Sequence, residues 1–236
     1  MSASPQHPSL QFELPGAWWR IPVDSIDSAA ASVKKLVAHQ FGRNSSEATF
    51  RAQQRKAMTA AVTHAIEGGA TEFHVSLKLD KRITFASTLT VYRPALTFPG
   101  QSTEPPVIMD ALALGLVRGD GSDREDGADH WAVLEGEGAI LFEKGRSYVL
   151  RRTSDHEQPG RGPDAESYTA IKADYWITVP GASAVLLVTF SSPLGELGPL
   201  LVELYDAIID SAVWTGLPEA PAAGNLADEL RTKARP

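Results

Sequence analysis

The stretch Thr71–Leu79, TEFHVSLKL, decides the fold class. Phe73, Val75, Leu77 and Leu79 alternate strictly with Glu72, His74, Ser76 and Lys78. A period of two puts the two sets on opposite faces of a strand, so the pattern predicts a half-buried strand with one wet face. That pattern belongs to antiparallel sheets, because parallel strands are covered on both sides and read as continuous apolar runs. Past Asp80–Arg82 the alternation resumes with Ile83, Phe85, Leu89 and Val91, and the two runs together predict a hairpin.

Upstream, Phe12–Val23 alternates around Trp19, Ile21 and Val23 and predicts a strand entered through a Pro15–Gly16 turn. Two helices follow. The first is capped by Asp24 or Ser25, carries Ile26, Ala30, Val33, Val37 and Phe41, and ends at Gly42. The second starts near Ser45 or Ser46, carries Phe50, Ala57, Met58, Ala61, Val62, Ala65 and Ile66, and stops at Gly68–Gly69.

Downstream, Pro94, Pro99 and Pro105–Pro106 interrupt the pattern, and Asp110–Val117 reads as a short helix capped by Asp110. Beyond an acidic loop, strands are predicted at Trp131–Glu135, Ala139–Phe142, Ser147–Thr153, Ala170–Val179 and Ser183–Phe190. Gly136 and Gly138 mark either a break or a bulge between the first two. The doubly apolar Ala184–Phe190 is expected at the centre of the sheet. A last helix, roughly Pro199–Val213, buries Leu200, Leu201, Leu204, Ile208 and Ala212. The order predicts a single α+β domain over residues 10–217, a mainly antiparallel sheet of about six strands packed between helices. Residues 1–9 and 218–236, rich in Pro, Ala and charge, are expected to be flexible tails.

Composition narrows the chemistry. The chain has 236 residues, 43% of them hydrophobic, a net charge of −7 and no cysteine. An acidic surface disfavours nucleic acid as a partner, since phosphate neutralisation needs lysines and arginines. Without cysteine there are no disulfides, thiolate metal sites or cysteine nucleophiles. No apolar run approaches the ~20 residues of a membrane span and no leader pattern occurs near Met1, so a cytoplasmic location is expected.

Catalytic and cofactor motifs fail one by one. Gly136-Glu137-Gly138 lacks the third glycine and the helix of a dinucleotide loop, and neither a P-loop nor Gly-x-Ser-x-Gly nor His-Glu-x-x-His occurs. Six histidines are scattered without ligand spacing, and Asp129–His130 and Asp155–His156 are neighbours whose side chains diverge on extended backbone. The acidic run around Asp120, Asp123, Glu125 and Asp126 misses the EF-hand register, with Glu125 at the glycine position and Trp131 at the bidentate position, and is read as a solvated loop. No metal and no cofactor are expected. The residues that could meet a partner are that acidic set, the paired Arg151 and Arg152 at a strand end, and Trp18 and Trp176, whose neighbours take the opposite face.

Three segments, FELPGAWWRIPV (12–23), YWITVPGASAVLLVTFSSP (175–193) and LYDAIIDSAVW (204–214), share a further character. The first resembles the opening strand of the PsbP-like superfamily, the Ran-binding-Mog, photosystem-subunit and DcrB-type fold. The second resembles the paired last strands of PsbP-like proteins from high-GC bacteria. The third is similar to that group's closing helix, with Asp206, Ile208, Ser211 and Trp214 at the matching positions. The resemblance implies an antiparallel sheet between helices and an accessory or protein-binding role without catalysis. It leaves a chaperone or adaptor of a secretion or toxin-delivery system as the alternative, and then a small-ligand carrier or an enzyme. The matching residues are core and turn positions, so the resemblance carries over no functional residue.

Overall fold

The computed structural model describes residues 8–41, 48–79, 86–119, 129–160 and 166–217. The expected tail at 218–236, most of that at 1–9 and the acidic set Asp120, Asp123, Glu125 and Asp126 lie outside them. The elements run β1 (Ser9–Gln11), β2 (Ala17–Ile21), α1 (Ile26–Phe41), α2 (Ala48–Glu67), β3 (Ala70–Lys78) and β4 (Thr88–Tyr92). They continue with α3 (Pro105–Gly119), α4 (His130–Gly136), β5 (Ile140–Lys144), β6 (Ser147–Gln158), β7 (Tyr168–Thr178), β8 (Val185–Ser192), α5 (Gly198–Ser211) and β9 (Val213–Thr215).

Seven strands form one antiparallel sheet in the order β2-β3-β4-β8-β7-β6-β5. It is built of two meanders, β2–β4 and β5–β8, joined where β4 pairs with β8, and α3 and α4 carry the chain from one to the other. Ser9, placed in the tail by composition, instead opens the ribbon of β1 with β9, opposite Thr215. The result is a single α+β domain.

The register sorts the helices. Phe73 and Val75 sit under α1 and α2, packed with Ile21, Val33, Leu36 and Val62. Following the paired positions across β4, β8, β7 and β6, the same face carries Thr90, Thr189, Asp174 and Arg152, and further along Trp176 and Leu150 beneath α3 and α4. The opposite face is the domain's main core, where Leu89, Val188, Phe190, Tyr175 and Ile177 meet Leu201, Tyr205, Ile208 and Ile209 of α5.

Strands β3 and β4 pair as the expected hairpin, with Ile83 and Phe85 outside the described residues. The expected faces do not hold: Leu77 packs with Phe73 and Val75, whereas Leu79 packs against the main core, and the second face is not wet. Ser76 is buried, because Trp18 lies directly opposite it in β2 and packs into the core on that side. The turn into β2 depends on Gly16, whose φ of 78° and whose contact with the Lys78 carbonyl leave no room for a Cβ.

Other expectations change for identifiable reasons. Trp131–Glu135 is helical rather than extended. The Asp129 carboxylate accepts the Trp131 N–H at 3.0 Å as an N-cap, and only Leu134 of this short segment needs burial. Helix α3 starts at Pro105 rather than Asp110, since prolines in a first turn remove only N–H groups that have no intrahelical partner. In α1 the buried positions are Ala29, Val33, Leu36 and Val37, while Ile26 is exposed. In α5 Leu200 is exposed and Tyr205 takes its place in the core, and Val213 belongs to β9. No helix among the described residues is long and apolar enough to cross a membrane.

Candidate functional site

The four sequence-derived contact residues among the described positions do not converge. The Trp18 indole N–H donates to the Pro15 carbonyl at 2.8 Å, and its ring packs against the main core. Trp176 is half-buried in the cluster under α3 and α4. Arg151 and Arg152, as neighbours on a strand, point to opposite faces, so one anion cannot be clasped by both. Arg151 pairs with Asp206 of α5, and Arg152 pairs with Glu137 at 3.1 Å.

Several hydrogen-bonded polar pairs form, some of them between segments that no local motif connects. Asp206, besides holding Arg151, accepts from the Tyr175 hydroxyl at 2.8 Å. Burial first and the Asp206 carboxylate second push the Tyr175 phenol up from its ordinary value. Asp110 on α3 accepts from the Trp131 indole at 2.9 Å and meets His130 Nε2 at 2.8 Å, which clasps α3 to α4. Those two hydrogen bonds hold its carboxyl below the usual range. Ser154 Oγ meets His156 Nε2 at 2.9 Å near the exposed end of β6.

Two of these pairs can be compared with the geometry of nucleophilic catalysis among the described residues. A nucleophile–base pair works when a third group orients the base beside a pocket that seats the reacting atom. Among the described residues His156 has no carboxylate partner, and Asp206 is occupied by the two groups that tie α5 to the sheet. No group of three metal-ligating side chains occurs among the described residues.

A concave feature with unspent chemistry lies elsewhere, between α1 and α2. Of the 20 residues of α2, only Val62 and Ala65 are buried. A groove of about 890 Å³ runs along the pair, and none of its lining residues belongs to the core beneath. Ala30, Ala31, Ala52 and Ala60, with Thr59 and Thr63, give it a floor of methyl groups. Lys34 stands on the α1 wall and Arg55 and Lys56 on the α2 wall, with His64 and Glu67 towards the end of α2. Lys34, Arg55 and Lys56 enter no ion pair among the described residues. In a chain of net charge −7, the two helices hold Lys34, Lys35, Arg51, Arg55 and Lys56 against only Asp27 and Glu67.

No local sequence pattern marks this groove. Its one signal was that the alanines of α2 lie all round the helix rather than on one stripe, so a single core could not use them. The chain matches no protein family, no curated protein and no solved structure.

Proposed function

We propose that this protein is a non-catalytic, protein-binding domain of the accessory kind, and that the groove between α1 and α2 is its contact site. The observation that carries this reading is the contrast in how polar groups are spent. The Asp206 and Asp110 carboxylates tie elements of the domain to one another, whereas the groove holds Lys34, Arg55 and Lys56 with no carboxylate partner among the described residues over an apolar floor. Preformed concave surfaces with an apolar base and a few charged groups are where ligands bind, and a groove open along a helix pair suits a docked helical segment of a protein. The shallow alanine and threonine floor favours a specific docked segment over a chaperone's sequestration of bulky apolar chains, which needs a larger exposed apolar patch. Kinship with the PsbP-like superfamily and a cytoplasmic location belong to the same proposal; cell fractionation tests the location.

Capture from the host's lysate with tagged full-length chain tests the reading. Ala60→Trp fills the groove from an exposed position, so it should leave the melting temperature unchanged and abolish retention of whatever partner the native chain retains. Retention of the same partner by both chains would move the contact site elsewhere.

A further inference from the structure

We infer that the occupant of the α1–α2 groove is an acidic amphipathic helix of another protein, packed as a third helix against the pair. The inference rests on the protein-binding reading and adds the partner's chemistry.

The geometry sets the shape. A groove between two packed helices accepts the side-chain ridge of a third at an interaxial distance of about 8–10 Å, and small side chains on the floor allow the closest approach. From Ala52 to Glu67 the α2 wall extends about 22 Å at the α-helical rise, which matches an occupant of roughly four turns. Charge sets the composition. Lys34 faces the groove from one helix while Arg55 and Lys56 face it from the other, so cations stand on both sides of the methyl floor. An occupant that satisfies both walls carries apolar residues at i, i+3/i+4 and i+7, with Asp or Glu flanking that stripe on either side. This is the arrangement by which flanking charges choose partners in coiled coils.

Nucleic acid fits less well. Duplex binders engage roughly 6–10 phosphates. This groove offers Lys34, Arg55 and Lys56, closes with the Glu67 carboxylate, and presents methyl groups where a backbone would need donors.

The test places a photo-crosslinker at the groove's rim in the full chain, as His64→p-benzoylphenylalanine, irradiates it in the host's lysate and reads the attached segment by mass spectrometry. A synthetic peptide of that segment is then titrated against the native chain and against Arg55→Glu with Lys56→Glu. The expected segment is acidic and amphipathic with the flanking pattern above. Its peptide should bind the double variant at least about tenfold more weakly than the native chain, and more weakly as salt rises. A crosslink to a basic or extended protein segment, or equal affinity for the two chains, overturns the acidic helix while leaving a protein contact at this groove. A crosslink to nucleic acid, to lipid or to this chain itself, or none at all, overturns both.

Discussion

Helices α5 and α2 lie against the same sheet, and they use their residues in opposite ways. Helix α5, 14 residues long, sends Leu201, Tyr205, Ile208 and Ile209 into the main core. Its Tyr205 ring stacks on Phe190 with centroids 4.3 Å apart, and Phe190 meets Tyr175 edge-on at 5.7 Å. The Tyr205 hydroxyl lies 2.8 Å from that of Ser87, and Asp206 reaches Arg151 and Tyr175, so the helix is fixed by polar as well as apolar contacts. Helix α2, 20 residues long, buries only Val62 and Ala65, and Phe50 near its start is 45% exposed. Helix length is therefore no measure of commitment to the core. A helix that stabilises little through its own burial still presents a shaped, charged surface, and that surface is the one the proposed contact uses.

One substitution made in both regions breaks or sharpens this contrast. Phe190→Ala removes a fully buried ring from between two tyrosines and should destabilise the domain by about 3–5 kcal/mol, read from chemical denaturation. Phe50→Ala removes a half-exposed ring whose described aromatic contact is an edge-on pairing with Phe41 at 5.2 Å, and should cost only about 0.5–1 kcal/mol. Comparable losses at the two positions would mean that α2 is part of the core.

Between those extremes lies the polar tie of α5. Asp206→Ala strands the mostly buried Arg151 guanidinium and removes the acceptor of the Tyr175 hydroxyl. Since the Asp206 side chain is itself 36% exposed, solvent screening tempers the loss to about 1–3 kcal/mol.

The same region sets the alkaline limit. Burial is the first cause that raises both the Tyr175 and the Tyr205 phenols above their ordinary value of 10.0. A raised folded value means the native state holds its protons longer than the unfolded chain does. The stabilisation is complete below pH 10 and is lost as pH climbs beyond it. Absorbance at 295 nm should show these two phenols ionising only with cooperative unfolding. Their smooth ionisation in a chain that stays folded would place them nearer solvent.

The smallest effect belongs to the groove. Arg55→Glu with Lys56→Glu exchanges two exposed cations that enter no described ion pair, so stability should shift by no more than about 0.5 kcal/mol.

Where burial imposes a period, the sequence was readable. Thr71–Leu79 named its strand and its sheet class because Phe73 and Val75 answer to one buried layer. Where two interactions compete locally it was not. Trp131–Glu135 has β-forming residues, yet the Asp129 cap and the Asp110 acceptor for the Trp131 indole draw it into a helix, and Asp110 lies 21 residues away. The burial of Ser76 likewise depends on Trp18, from a strand more than fifty residues upstream. The candidate site was illegible for a related reason. A groove between two helices depends on how they pack, whereas Lys34, Arg55 and Lys56 taken singly look like ordinary solvated cations.

Native-state amide hydrogen exchange tests the division of labour most directly. Stability is distributed in units that open separately, and a layer held by few buried side chains opens at lower free energy than the global core. The amides of α5 from Leu201 to Ile209 should exchange only through global unfolding, with protection that falls in step with denaturant. Those of α2 from Ala52 to Ala60 should exchange through a local opening that denaturant barely affects. If α2 instead matches α5 in both protection and denaturant dependence, the helix is part of the cooperative core, and its outer surface is not spare.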